Sequence, residues 1–157
     1  MLLGNMLLAL AWAALQGEFS LGILLTGYIL GYFILLALAT GGVLGTSPYI
    51  GRVHRAVGLA AFFLWELVRA NVRLAYDVAT PRYHMRPGIV AVPLDARRDS
   101  EVLLLAMLIN LTPGSVALDV SPDRKVIYVH VMYIDTPQTA RDEIKNGFER
   151  RVLEVLG

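Results

Sequence analysis

Two long apolar stretches open the sequence. Residues 1–16 and 19–39 are almost entirely apolar, with a short polar break around Gly17. At about 1.5 Å per residue the second stretch is about 31 Å long, which matches a hydrocarbon core of about 30 Å. The first stretch is about 24 Å long by the same measure, so it predicts a short or tilted span, or a helix buried among other helices. The pattern therefore predicts a transmembrane helical hairpin over residues 1–51.

A third helical pattern covers residues 53–79. Its middle, residues 56–65, is apolar, but ten apolar residues are too few to cross a bilayer. Polar side chains then recur at steps of three or four and form one stripe: Glu66, Arg69, Arg73 and Asp77. Basic residues lie on both sides of the apolar middle, which argues against a crossing because basic loops stay cytoplasmic. We expect two spans with both termini cytoplasmic and an amphipathic or interfacial helix over residues 52–80, with a third span as the alternative.

The spacing of apolar residues along the chain changes after Pro87. Residues 88–94, 116–120 and 126–133 are β-branched runs bounded by turn residues, and helical patterns follow the first and the last of them. Asp99 or Ser100 is expected to cap the first of these helices. The predicted fold class is a membrane protein with an α-helical N-terminal transmembrane region and a small α+β (β-α-β-β-α) cytoplasmic C-terminal domain over residues 87–157.

The first helix of this domain is apolar on every side, although a helix packed on one sheet needs only one apolar face. Its surplus apolar surface must be covered by the bilayer surface, by the interfacial helix or by another subunit. We expect its partner-facing residues to include Leu103, Leu104, Met107 and Leu108.

Charge divides the chain sharply. All 14 basic residues lie from Arg52 onward, and Glu18 is the one of the 13 acidic residues that precedes Glu66. The net charge of +1 argues against a nucleic-acid partner. The absence of cysteine excludes disulfides and thiolate chemistry. The three histidines are scattered without ligand spacing, so no metal site or cofactor is expected.

The sequence also lacks the catalytic motifs of hydrolases, metalloproteases and phosphate-binding enzymes. The small C-terminal domain leaves little room for a pocket that would bind a small-molecule substrate. We therefore predict that the protein is not an enzyme and that it has no small-molecule substrate of its own.

Four residues stand out in or beside the apolar segments. Gly27 and Gly31 have the small-xxx-small spacing that lets a neighbouring helix approach closely, either in the same chain or from another subunit. Glu18 and Glu66 are ionisable, which makes them candidates for an ion or proton role. For Glu18 a place in the turn between the helices is favoured. For Glu66 an ion pair with Arg69, three residues on, is favoured.

Several segments of the second half resemble the E subunit of the Mrp-type (Mnh-type) multisubunit sodium/proton antiporters. They are residues 86–94, 110–115, 118–120, 123–126 with Tyr128 and His130, and 146–149. The resemblance implies an accessory or assembly component in a hetero-oligomeric complex of the cell membrane that exchanges Na⁺ for H⁺. Its partners would be the other membrane subunits and the lipid bilayer, and no catalytic residue carries over.

Two other functions remain open. Similar Mrp-like modules occur in membrane-bound hydrogenases and related respiratory complexes, so the parent complex could be one of these. A function of a different class is a stand-alone membrane-anchored binding or regulatory module.

Overall fold

The computed structural model describes residues 1–42, 48–80 and 85–157. The first three helices are α1 (Leu2–Gln16), α2 (Leu21–Thr40) and α3 (Pro48–Ala79). Then follow β1 (Gly88–Pro93), α4 (Asp99–Leu111), β2 (Ser115–Val120) and β3 (Val126–Val131). The last helix has three parts: α5 (Pro137–Asp142), a π-helical segment (Glu143–Glu149) and α6 (Arg150–Leu156). The chain divides into two compact units, a hairpin unit (Met1–His54) and a domain unit (Arg55–Gly157).

The hairpin unit contains α1 and α2, joined by a tight link. Gly17 ends α1 with φ of 73°, a left-handed conformation that glycine adopts without strain. Ser20 caps α2, since its hydroxyl accepts a hydrogen bond from the Ile23 N–H at 3.3 Å. Within the described residues, α2 is the one helix that is long and apolar enough to cross a membrane, and α1 is a shorter apolar helix.

The third helix begins earlier than the sequence pattern predicts. It starts at Pro48 rather than at residue 53, because proline is tolerated in a first helical turn, where no N–H partner is needed. The glycines and the Ser-Pro pair within residues 41–49 predict a break between α2 and α3, and the start of α3 at Pro48 corrects the C-terminal end of that break. Gly42, with φ of 74°, lies outside α2, and residues 43–47 of that break lie outside the described residues.

The domain unit contains a three-stranded antiparallel sheet in the order β1-β3-β2. The predicted order β-α-β-β-α is confirmed for the described residues. Alternate strand residues point toward α4 and the last helix and form the core, which includes Val90, Val92, Leu105, Ile109, Ile127 and Val129. The opposite face of the sheet is open, with Ile89, Val116, Leu118 and Tyr128 exposed.

The start of α4 corrects a second expectation. Asp99 and Ser100 lie inside the helix, so neither of them is its cap. Glu101 reaches back instead, and its Oε2 accepts hydrogen bonds from the backbone N–H groups of Arg97 at 2.9 Å and Arg98 at 3.1 Å. These two bonds lower the pKa of Glu101.

Candidate assembly surfaces

The glycine pair of α2 lies directly against α1. A Cβ atom added to Gly27 would stand 2.9 Å from the Trp12 Cβ and 3.0 Å from the Ala9 Cα. A Cβ on Gly31 would collide with the Asn5 side chain. Both glycines are buried, so they let two backbones approach within one chain. We call this contact the glycine seam.

Within the hairpin unit, a polar cluster joins α1, α2 and the first turn of α3. Asn5 is fully buried, and its Nδ2 donates a hydrogen bond to the Tyr49 hydroxyl at 3.0 Å. The Tyr28 and Tyr49 hydroxyls lie 2.7 Å apart. Sequence reasoning missed this cluster, although Asn5 is an isolated amide in an apolar stretch and could have signalled it. Its members are neutral and bond to one another, which suits an apolar environment.

Glu18 lies in the link between α1 and α2, and its side chain is exposed. Glu66 lies on α3, and its Oε1 is 3.3 Å from the Arg69 Nη1. The Glu66 side chain is 21% exposed and the Arg69 side chain 50% exposed, so this pair contributes at most about 1 kcal/mol. Glu18 is therefore exposed in a link between helices, whereas Glu66 is half-buried in an ion pair.

The polar stripe of α3 faces the sheet and the last helix. Glu66, Arg69 and Arg73 line a cavity of about 560 Å³ together with residues of both elements. The Arg73 guanidinium lies 5.0 Å from the centroid of the Tyr133 ring, a cation–π contact. Asp77 is 2% exposed. Burial of the phenol, and next the neighbouring Asp77, raise the pKa of Tyr133.

Aromatic contacts attach α3 to the last helix. The Phe62 and Phe148 rings meet edge to face, with centroids 5.3 Å apart. A Cβ on Gly147 would stand 3.2 Å from the Phe62 Cζ, so this glycine makes room for the ring. The Arg151 guanidinium also contacts the ring, 3.8 Å from its centroid. Phe62 is therefore held between three residues of the last helix.

The same helices cover part of the surplus apolar surface of α4. Leu108 is buried in a cluster with Leu59 of α3 and Val152 of α6, and Leu104 is half-buried against that cluster. The expectation that Leu108 faces a partner is therefore wrong, because this chain covers it. Leu103 and Met107 are 58% and 52% exposed and remain available. The sequence left three possible contacts for this surface: the bilayer, the helix over residues 52–80 and another subunit. The helix over residues 52–80 accounts for Leu104 and Leu108.

Glu149 is a buried carboxylate that sequence reasoning did not single out. Its Oε1 accepts hydrogen bonds from the backbone N–H groups of Asp95 at 2.6 Å and Ala96 at 2.9 Å. The Lys145 Nζ lies 3.4 Å from the Glu149 Oε2 and 2.9 Å from the Asp95 Oδ2. Burial lowers the pKa of Lys145, but the two carboxylates outweigh it and the net shift is upward. The segment 146–149 carries part of the resemblance, and its contacts stabilise the fold of the domain unit.

Within the described parts of the chain, no group of three or more acidic or histidine side chains converges into a metal site. The buried charged groups described above each make contacts that hold one element to another. The arrangement is one of helix seams and exposed apolar surfaces, which suits assembly with other molecules.

A family model described as Na⁺/H⁺ ion antiporter subunit matches residues 5–155. The chain belongs to this family. It is 36% identical to the E subunit of the Na⁺/H⁺ antiporter of Alkalihalophilus pseudofirmus, over 96% of this chain and 94% of that protein. It is 34% identical to the corresponding protein of Bacillus subtilis, with the same coverage.

Two solved complexes contain similar chains. One is the Mrp complex from Dietzia sp. DQ12-45-1b, with a TM-score of 0.51 and 27% identity over 66% of this chain and 96% of that chain. The other is the membrane-bound sulfane sulfur reductase, an archaeal respiratory membrane complex, with a TM-score of 0.57 and 26% identity. That similarity covers 96% of this chain and 95% of the other.

Proposed function

We propose that this chain is an accessory component of a multisubunit Na⁺/H⁺ antiporter in the cell membrane, and that it is part of a transporter rather than an enzyme. The observation that carries the proposal is the similarity to an antiporter's E subunit over 96% of the chain. Its partners are the other membrane subunits of that complex. The chain holds the assembly together, and other subunits provide the ion path.

Two features of the hairpin unit support a role outside the ion path. A path for Na⁺ or H⁺ needs polar or ionisable groups at membrane depth. Glu18 is the only acidic residue before Glu66, and it is exposed in the link between the two helices. The polar cluster consists of one amide, Asn5, and two phenols, Tyr28 and Tyr49, which are bonded to one another.

The proposal is tested by purifying the tagged chain from its native membrane in a mild detergent. We expect large polytopic membrane proteins to co-purify, and mass spectrometry identifies them. A small monodisperse particle that contains this chain alone would overturn the proposal and favour the stand-alone binding or regulatory module.

We also propose that the chain crosses the membrane twice and keeps its C-terminal domain in the cytoplasm. The lack of Lys and Arg before Arg52 supports this topology, because basic residues stay on the cytoplasmic side. The chain has no cysteine, so single cysteines can be introduced for labelling of intact cells. We expect an impermeant maleimide to label Glu18→Cys but neither Thr40→Cys nor Asp123→Cys. Labelling of Thr40→Cys from outside would refute the two-span topology.

A second parent complex is favoured by one observation. The archaeal respiratory complex also contains a chain that is similar to this one, over 96% of this chain and with a TM-score of 0.57. The same purification separates the two functions. Subunits with redox cofactors among the co-purifying proteins would indicate a respiratory complex, and their absence from an otherwise complete set would indicate an antiporter.

A further inference from the structure

Helix α3 carries a row of large apolar side chains on the side away from the sheet. We call this row the outer stripe, and each of its members is 57–66% exposed: Val57, Leu64, Trp65, Val68, Val72 and Tyr76. Their spacing of three, four and seven residues places them on one face of a helix. From Val57 to Tyr76 the row is about 30 Å long at 1.5 Å per residue.

The opposite face of α3 holds the polar residues and packs on the domain. Leu59 and Phe62 join it to α4 and the last helix, and Arg73 stacks over Tyr133. A surface helix of a soluble protein presents charged residues outward, whereas the outward row of α3 is apolar. The outer stripe contains no charged residue. An exposed apolar row of this length therefore indicates a contact with something other than water.

Three observations identify the lipid bilayer as that contact. First, α3 begins in the hairpin unit, where its first-turn Tyr49 is bonded to Asn5 and Tyr28. That unit contains α2, the helix long enough to cross a membrane. Second, the stripe includes Trp65 and Tyr76, whose amphipathic rings suit the headgroup level.

The third observation is charge. Arg52 and Arg55 are exposed in the first two turns of α3, just before the stripe. Anionic headgroups attract basic residues placed next to a membrane-bound segment. This combination of an apolar face, flanking basic residues and boundary aromatics is typical of helices that lie in the interface.

We propose that the outer stripe of α3 docks on the surface of an anionic lipid bilayer, with Leu64, Val68 and Val72 inserted below the headgroups. This inference rests on the proposed function as a membrane subunit. It deepens that function by giving the domain unit a membrane contact of its own, in addition to that of the hairpin.

The test uses the full chain in vesicles of phosphatidylcholine and phosphatidylglycerol. Nitroxide labels on Val68→Cys and Val72→Cys are compared with a label on Asp123→Cys, in the exposed turn between β2 and β3. Collision with oxygen reports exposure to lipid, and collision with a water-soluble nickel chelate reports exposure to water. We expect the ratio of oxygen to nickel accessibility to be several-fold higher at Val68 and Val72 than at Asp123.

Equal, water-like ratios at all three positions would overturn the inference. The measurement is repeated in the purified complex. Labels at Val68 and Val72 that are immobile and inaccessible to both reagents there would also overturn it, because another subunit would then cover the stripe. Either result leaves the co-purification of partner subunits unaffected, so failure of this inference is distinct from failure of the proposed function.

Discussion

Replacement of Gly27 by leucine tests the glycine seam most directly. A Cβ at this position would lie 3.0 Å from the Ala9 Cα and 2.9 Å from the Trp12 Cβ. Carbon atoms at optimal contact are about 3.5–4.0 Å apart, so α1 and α2 must separate by about 0.5–1 Å for the Cβ alone. A gap of that size removes about a quarter to a half of the dispersion attraction between the facing atoms.

Leucine adds three more carbon atoms to a contact that already lacks room for one. Overpacking of this kind costs about 1–3 kcal/mol, and we expect Gly27→Leu to reach the upper part of that range. The matched control is Gly22→Leu on the same helix, because a Cβ on Gly22 meets no atom within 4 Å. Its effect should stay within about 0.5 kcal/mol, the usual limit for an exposed substitution.

The assay uses the fluorescence of Trp12, whose Cβ lies at the seam. The chain has two tryptophans, so the other, Trp65, is replaced by phenylalanine in every variant. Titration of the full chain with sodium dodecyl sulfate from a mild detergent gives the free energy of unfolding. Equal losses of unfolding free energy for Gly27→Leu and Gly22→Leu would refute the reasoning, because the two sites differ in their contact with α1.

Four further predictions follow from single residues. Glu149→Ala should destabilise the domain by about 3–5 kcal/mol in urea-dependent proteolysis of the full chain, because it leaves buried N–H groups and Lys145 without their carboxylate; the exposed Glu154→Ala is the control. The pKa of Glu101 is lowered in the folded domain, so its contribution to stability is present above the unfolded pKa and is lost as pH falls through the folded pKa; in Glu101→Gln the thermal midpoint should depend less on pH in that acidic range. Tyr49→Phe removes its hydrogen bonds to Asn5 and Tyr28 and should cost about 1–3 kcal/mol in the detergent titration. Glu18→Gln should leave Na⁺/H⁺ exchange intact in the reconstituted complex, and loss of exchange in a fully assembled variant would assign this residue to the ion path.

The order of elements could be predicted because its signals are local. The alternation of apolar residues and the turn residues around Pro122 and Gly114 lie within a few positions of the strands that they delimit. The contacts that define the assembly surfaces are distant in sequence. Asn5 and Tyr49 are 44 residues apart, and Glu149 is 53 residues from Ala96. No periodicity in the sequence connects such pairs, so the polar cluster and the buried glutamate were missed.

The contacts of the polar stripe of α3 could not be predicted from the sequence either. The spacing of Glu66, Arg69, Arg73 and Asp77 predicts that they share a face, and they do. Periodicity says nothing about what that face meets. On that side of α3, Arg73 makes a cation–π contact with Tyr133, which follows β3, and the apolar residue Leu59 packs against Leu108. One of the four expected partner-facing residues was therefore assigned to the wrong neighbour.

The placement of charge separates a structural subunit from an ion carrier. An ion carrier needs ionisable groups at membrane depth, whereas the polar cluster of the hairpin, Asn5, Tyr28 and Tyr49, consists of one amide and two phenols bonded to one another. Two buried carboxylates of the domain unit, Glu101 and Glu149, bind backbone N–H groups of the loop between β1 and α4. Both carboxylates therefore stabilise that loop by accepting hydrogen bonds from its backbone. This placement agrees with the proposed function, in which the partner subunits supply the titratable groups that drive exchange.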